Sequence, residues 1–195
     1  MTSLAAAPKK YTVAEYLEIE RTTGEKHAYY NGTIEPMAGA SIPHNRITRN
    51  ILAELCKIFE KKSGFEAFGS DQKIYLPKYE YYLYPDAVVV AEEPLVADAE
   101  TDAIINPLLI FEVLSHSSEK YDSGQKFIEY QSLPSFREYV LVRQDAPELL
   151  LFFREQPDVW RSSEVAGLEN DAWLRSVEVS LSLKRIYHKV LADEQ

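Results

Sequence analysis

Cysteine is almost missing: Cys56 is the single one in 195 residues. No intrachain disulfide can form, a cysteine-rich zinc site is excluded, and a reducing, cytoplasmic setting is expected. Long apolar runs are missing too. The longest, Pro107 to Leu114, is far shorter than a membrane span and is interrupted by Glu112. The first ten residues carry no apolar stretch of the secretory kind. Positive charge is in deficit, with 21 Lys and Arg against 31 Asp and Glu, a net charge of −10. That balance argues against a protein that coats nucleic acid through overall basicity. It leaves phosphodiester chemistry open, because carboxylates that hold a divalent ion acquire local positive charge. What is present is ordinary for a globular chain, 46% hydrophobic and 27% charged residues, enough for one cored domain.

Residues 1–10 read as a flexible leader, 11–190 as a single domain and 191–195 as a tail. Thr12-Val-Ala-Glu15 has the form of a capping box, with a helix to about Thr22 and a stop at Gly24. Asn31-Gly32 between aromatic and β-branched residues predicts a hairpin. Ile47, Ile51, Leu55 and Ile58 fall at helical spacing, which predicts an amphipathic helix over His44 to Lys62. Strands are predicted near 65–68, 72–76, 87–91, 107–115, 137–142, 149–154 and 160–165, with a short helix at 123–132 and a closing helix at 182–190. The near-continuous apolar strands imply helices on both faces. The order predicts a mixed α/β domain with a central sheet.

Three residues stand out from their surroundings. Asp86 follows Pro85 at the mouth of a Val-rich strand. Glu112 lies inside Leu-Leu-Ile-Phe-Glu-Val-Leu, and Lys126 sits fourteen residues later in the next helix, one turn before Tyr130. Each has a plain structural reading: a turn cap for Asp86, an ion pair for Glu112, a solvated side chain for Lys126. Together they meet a more specific requirement. Two carboxylates on adjacent strands suit Mg²⁺, which takes one or two of them and fills its octahedron with water and substrate phosphate. A nearby lysine orients the attacking water or balances charge developing on phosphorus.

The blocks Tyr84-Pro-Asp-Ala-Val-Val-Val, Ile110-Phe-Glu-Val-Leu-Ser, Tyr121-Asp-Ser-Gly-Gln-Lys-Phe-Ile-Glu-Tyr and Pro134-Ser-Phe-Arg-Glu-Tyr-Val-Leu-Val resemble, in order and spacing, the Uma-two family of restriction endonuclease-like proteins. Tyr11-Thr-Val-Ala-Glu-Tyr-Leu and the stretch from Met37 to Arg46 add to the likeness, which runs from about Tyr11 to Tyr187. The resemblance places the chain in the PD-(D/E)-x-K nuclease superfamily. It implies a restriction endonuclease-like α/β fold, a central mixed β-sheet flanked by helices, with an N-terminal helix and hairpin. It further implies an endonuclease, a hydrolase cutting phosphodiester bonds in DNA. Asp86 and Glu112 would be metal ligands for Mg²⁺, with Mn²⁺ as an alternative, and Asp86, Glu112 and Lys126 would be catalytic. The superfamily pattern expects lysine two residues after the acid, where this chain has Leu114; the role passes to Lys126. Relatives carry an acidic pair around the first hairpin, where this chain has Ala28 and Asn31.

Supporting roles are weighed for Asp71, His44 and Tyr130. Asp71 reads equally as a metal-supporting residue and as a turn residue. His44 and His116 read first as a helix-start and a loop residue, and second as site residues. Cys56 reads as a small core or boundary side chain. The tyrosines of Tyr79-Glu-Tyr-Tyr-Leu-Tyr read as packing before base stacking. They also offer edge surface for a homodimer or higher homo-oligomer. Against the nuclease stands a non-catalytic module of the same fold acting through protein or nucleic-acid contacts, favoured by Ala28 and the net charge. A carboxylate-pair glycosidase fits less well beside a lysine.

Overall fold

The computed structural model describes residues 9–98, 101–115 and 119–191, and local signals set its first elements. Helix α1 (Val13–Thr23) starts with the capping box in place: Glu15 N–H donates to Thr12 Oγ1, and Thr12 N–H to the Glu15 carboxylate. It stops at Gly24, whose φ of 66° is left-handed and carries no penalty without a Cβ. Strands β1 (His27–Tyr30) and β2 (Thr33–Pro36) form the hairpin, and both turn residues have positive φ, Asn31 at 43° and Gly32 at 98°. Helix α2 (Ile42–Phe59) is capped by Ser41 and buries Ile47, Ile51 and Leu55 on one stripe.

The remaining elements are β3 (Phe65–Gly69), β4 (Ile74–Leu76), β5 (Tyr81–Leu83), β6 (Ala87–Ala91) and β7 (Pro107–Val113). A π-helical turn (Tyr121–Gln125) then runs into α3 (Lys126–Tyr130). After it come β8 (Glu138–Val142), β9 (Glu148–Gln156), β10 (Val159–Ala166), β11 (Asp171–Leu174), β12 (Val179–Ser182) and α4 (Leu183–Ile186). The main sheet has six strands in the order β10-β9-β8-β7-β6-β3, in which only β7 and β8 run parallel. Their connection carries the π-helical turn and α3, as a parallel pair requires a crossover. A second sheet has the order β2-β1-β5-β4.

Alternation along the strands splits the core in two. Val89, Leu109, Phe111, Val113 and Val140 meet the α2 stripe together with Leu174 and Leu181 of the β11–β12 hairpin and Ile186 of α4. Val88, Val90, Ile110, Tyr139 and Leu141 meet Tyr130, Leu133 and Phe136, and Ile74, Leu76 and Leu83 of the second sheet. The expectation of helices on both faces holds, with α2 on one and α3 on the other, and strands join each of them. A hairpin shares one face with α2, and a small sheet shares the other with α3, because an apolar sheet face covers strands as well as a helical stripe does.

Two corrections concern the ends and the surface. The expected closing helix at 182–190 is shorter, the single turn of α4 followed by turns over 187–190, and the β11–β12 hairpin precedes it. Cys56 is exposed, on the side of α2 away from its buried stripe. The clustered tyrosines pack on one another: Tyr75 stacks on Tyr82 at 4.5 Å and Tyr16 on Tyr29 at 5.0 Å between ring centres. Residues 1–8 of the expected leader and 192–195 of the expected tail lie outside the described residues.

Glu138 ties the late hairpin to the main sheet. Its carboxylate, 1% exposed, accepts from Arg175 N–H at 3.0 Å, Ser176 N–H at 2.8 Å and Ser176 Oγ at 2.7 Å. Burial pushes this carboxyl up, and the three donors act against that. Glu138→Ala strands two backbone donors, so it is expected to cost about 3 kcal/mol in a urea unfolding experiment. Glu138→Gln, which keeps an acceptor, should cost less.

Candidate active site

Strand register brings the two acids face to face. Ala87 pairs with Phe111 and Val88 with Ile110, so the next step of the antiparallel ladder sets Asp86 opposite Glu112. Side chains alternate along a strand, which puts both acids on the face that carries Val88 and Ile110. Asp86 is held at both oxygens. Oδ2 accepts from Val113 N–H at 2.6 Å, and Oδ1 lies 2.7 Å from His44 Nε2. His44 fills both of its readings at once: its backbone N–H donates to the Ser41 cap at 3.2 Å, while its ring reaches Asp86.

Lys126 arrives from the crossover. Its Nζ is 2.7 Å from Glu112 Oε1 and 3.5 Å from Asp122 Oδ1. Tyr130, one turn on, donates its hydroxyl to the same Glu112 oxygen at 3.3 Å. The π-helical turn aims the lysine: Lys126 N–H bonds the carbonyl of Tyr121, five residues back, and Tyr139 OH holds the carbonyl of Asp122 at 2.9 Å. Leu114, two residues after Glu112, packs against the apolar cluster around Tyr130. The ammonium next to Glu112 is thus supplied by the helix and not by the strand.

These groups are buried and unequal in charge. Glu112 is 3% exposed, Asp122 4% and Lys126 8%. Burial drives the Glu112 carboxyl well above the ordinary glutamate range; Lys126 pulls it back, while the Asp122 and Asp86 charges push it further up. Burial by itself would lower Lys126, but Glu112 and Asp122 overrule it and hold the ammonium above the ordinary lysine value. Tyr130 and Tyr139 are pushed up by burial beside these acids and stay neutral donors. Three carboxyl groups, Asp86, Glu112 and Asp122, thus share the single ammonium of Lys126.

The set fits a hard divalent ion. Its donors are carboxylate oxygens on neighbouring strands, the ligand type such an ion takes. Among the described residues no group of three or more His, Cys, Asp or Glu is gathered as a ready metal cluster. Two carboxylates completed by water is the arrangement open to these residues, and it is the habit of Mg²⁺.

Asp71 lies apart from this cluster. Its side chain is 94% exposed and pairs with Lys26 at 2.9 Å. His116 lies outside the described residues. Ala28 is buried in the apolar cluster that contains Tyr130, and Asn31 makes the hairpin turn. Asp122 escaped the sequence reading, although an acid four residues before a lysine on one helix was its visible signal.

Residues 13–184 match the family model described as "Uma2: Putative restriction endonuclease". A protein of Synechocystis sp. (strain ATCC 27184 / PCC 6803 / Kazusa), uncharacterized protein sll1609, is 38% identical over 164 residues, 84% of this chain and 92% of its own. A second protein of that strain, uncharacterized protein slr1290, is 30% identical over 178 residues, 91% and 92% of the two chains. A solved structure described as "a putative nuclease belonging to DUF820", from Anabaena variabilis ATCC 29413, superposes with a TM-score of 0.73. It covers 93% of this chain and 99% of its own at 14% identity, a likeness of fold.

Lys126→Met tests the electrostatics. Glu112 loses the one cation beside it, and its carboxyl rises further. A raised acid stabilises the fold while protonated and loses that contribution as pH climbs through its folded-state value. Urea midpoints should therefore separate little in acid and progressively toward neutral pH, to about 3–5 kcal/mol. A gap that is independent of pH would assign the loss to packing alone.

Proposed function

The chain belongs to the Uma2 family, a family of restriction endonuclease-like proteins, and from that premise we propose that it is a Mg²⁺-dependent endonuclease acting on DNA. The observation that carries the reading is Asp86 set opposite Glu112 with the Lys126 ammonium 2.7 Å from Glu112. Asp86 and Glu112 would hold the ion, with Mn²⁺ as a substitute. When bound, the ion supplies a Lewis acid for the phosphodiester and lowers the pKa of a coordinated water.

The chain's own residues do the rest. His44 and Val113 N–H fix the rotamer of Asp86, so its oxygens do not need reordering when substrate arrives. Tyr130 and Lys126 fix Glu112 in the same way. Lys126 keeps a full charge at neutral pH in a site of low dielectric, where it favours the extra negative charge of a five-coordinate phosphorus. Asp122, one turn before Lys126, holds the same ammonium at 3.5 Å. The cytoplasmic setting and a homo-oligomeric state belong to the same proposal. Among the described residues no helix is long and apolar enough to cross a membrane.

A second reading has one observation behind it. The family pattern carries an acid where this chain has Ala28, so a metal-binding module without turnover would also account for the cluster.

Two measurements separate the readings. Duplex DNA should be cut with Mg²⁺ or Mn²⁺ and left intact in EDTA, and Asp86→Ala or Glu112→Ala should lower the rate by at least about a hundredfold. Equal rates in all three chains would overturn the nuclease; a metal-dependent melting shift without cleavage would favour the module. The size of that shift also has a sign. The ion displaces the proton that burial favours on Glu112, so stabilisation by Mn²⁺ should grow as pH rises and fade in acid. The growth should disappear in Glu112→Gln.

A further inference from the structure

The chain is acidic as a whole, yet one surface is strongly basic. On α2, Arg46, Arg49 and Lys57 are exposed along one side of the helix, and Lys184, Arg185 and Lys189 surround the turn of α4 beside it. Between them lies a groove of about 550 Å³ lined by Asn50, Ala53 and Glu54 of α2 and by Ser182, Lys184, Arg185 and His188. Its walls are fixed to one another. Asn50 Nδ2 donates to the carbonyls of Ile186 at 2.8 Å and His188 at 3.0 Å, and Arg46 Nη1 donates to the carbonyl of Lys189 at 2.7 Å.

What sets these charges apart is that they are gathered on two adjoining elements. Elsewhere Lys26, Lys62, Lys73, Arg143, Arg161 and Arg175 each pair with a carboxylate, while Lys61, Lys78 and Lys120, which do not, are scattered. Of the six cations around the groove, Arg185 pairs with Glu54 at 3.2 Å. Arg46, Arg49, Lys57, Lys184 and Lys189 have no carboxylate partner among the described residues. Five cations without a carboxylate partner, exposed on two adjoining elements of an acidic chain, make a local basic patch around the groove that suits a polyanion.

We propose that this α2–α4 groove binds the phosphate backbone of a DNA duplex. The inference rests on the nuclease reading above and adds to it a docking surface separate from the acids. From Arg46 to Lys57 the helix advances about 16 Å at 1.5 Å per residue, matching about five phosphates of one strand at 3.4 Å each. The groove lies outside the layer in which α2 covers Phe111 and Val113, while Asp86 and Glu112 occupy the face of Val88 and Ile110. It therefore holds duplex that flanks the bond to be cut and positions it without touching that bond. His44, in the first turn of the same helix, reaches Asp86, so one rigid element links the groove to the acids.

The test uses the full chain in EDTA with a short fluorescent duplex and anisotropy over a salt series. Arg49→Glu with Lys57→Glu and Lys184→Glu should weaken binding by more than about tenfold, and flatten the slope of log affinity against log salt by about one for each phosphate no longer neutralised. The milder Arg49→Gln, Lys57→Gln and Lys184→Gln chain should fall between, and its melting temperature guards against misfolding. Undiminished affinity in both variants overturns the proposal. Binding of poly-glutamate but not of DNA overturns it in favour of an acidic protein partner. Metal-dependent hydrolysis of bis(p-nitrophenyl) phosphate, which needs only the acids, should be the same in native and variant chains. If no chain hydrolyses it while duplex binding still depends on the groove, the nuclease reading fails and the docking surface stands.

Discussion

A carboxylate in the middle of a fully covered strand constrains everything near it. Glu112 has apolar neighbours on both sides along β7 and is 3% exposed. Left alone it would cost several kcal/mol or stay protonated. The surroundings answer with an ammonium and a phenol on a single oxygen, both from α3. The placement of α3 follows from that requirement as much as from the crossover between β7 and β8. The π-helical turn matters because it sets the phase of the helix and so brings Asp122, Lys126 and Tyr130 to one side. A buried pair of this kind adds little over well-packed apolar side chains, and often costs stability. Two further acids raise that cost. Packing alone would be served better by leucine and methionine, so the retained charge points to chemistry.

Charge is also segregated on a larger scale. The −10 total is spread over a surface on which many cations already meet carboxylates, while Asp86 and Glu112 sit on one face of the main sheet and five cations without a carboxylate partner lie outside the helix covering the other. Net charge is a sum and carries no information about that geometry. It argued correctly against overall basicity and had nothing to say about a local groove. Spread evenly, the same cations would give no directional attraction. Gathered on two elements locked by Asn50, they give a field with one orientation.

The parts of the fold that were readable were those set within a few residues. The capping box at Thr12 and the Asn31-Gly32 turn are local chemistry, and the apolar runs at 87–91 and 107–113 need only alternation and length. Those runs were enough to suggest Asp86 and Glu112 as neighbours, because an acid at the mouth of one apolar strand and an acid within another suit a shared site on adjacent strands. What was not readable depended on contacts distant in sequence. The ring of His44 meets Asp86 forty-two residues away, and nothing in Ser-Ile-Pro-His foretells that. The covering of β8 and β9 by a C-terminal hairpin was missed because β11 and β12 are four residues each, too short for alternation to show. Lys126 was singled out from the sequence, but its reach to Glu112 depends on a π-helical turn that no spacing rule anticipates. Asp122 was passed over because an exposed i, i+4 pair and a buried one are spelled alike.

Ala28 can now be placed within this electrostatic frame. Its methyl group is buried in the cluster that holds Tyr130 and Ile110, so an acid at that position would enter a region where three carboxyl groups already share one lysine. Each added buried carboxylate raises the pKa of the others and deepens the demand for a cation. Alanine relaxes that demand. The fold is then easier to maintain than with a fourth acid, and the pull on the proposed ion would be weaker. Under that proposal the site would trade affinity for the ion against stability without it, and Glu112, already pushed up by burial with Lys126 opposing, would be the residue on which that trade is made.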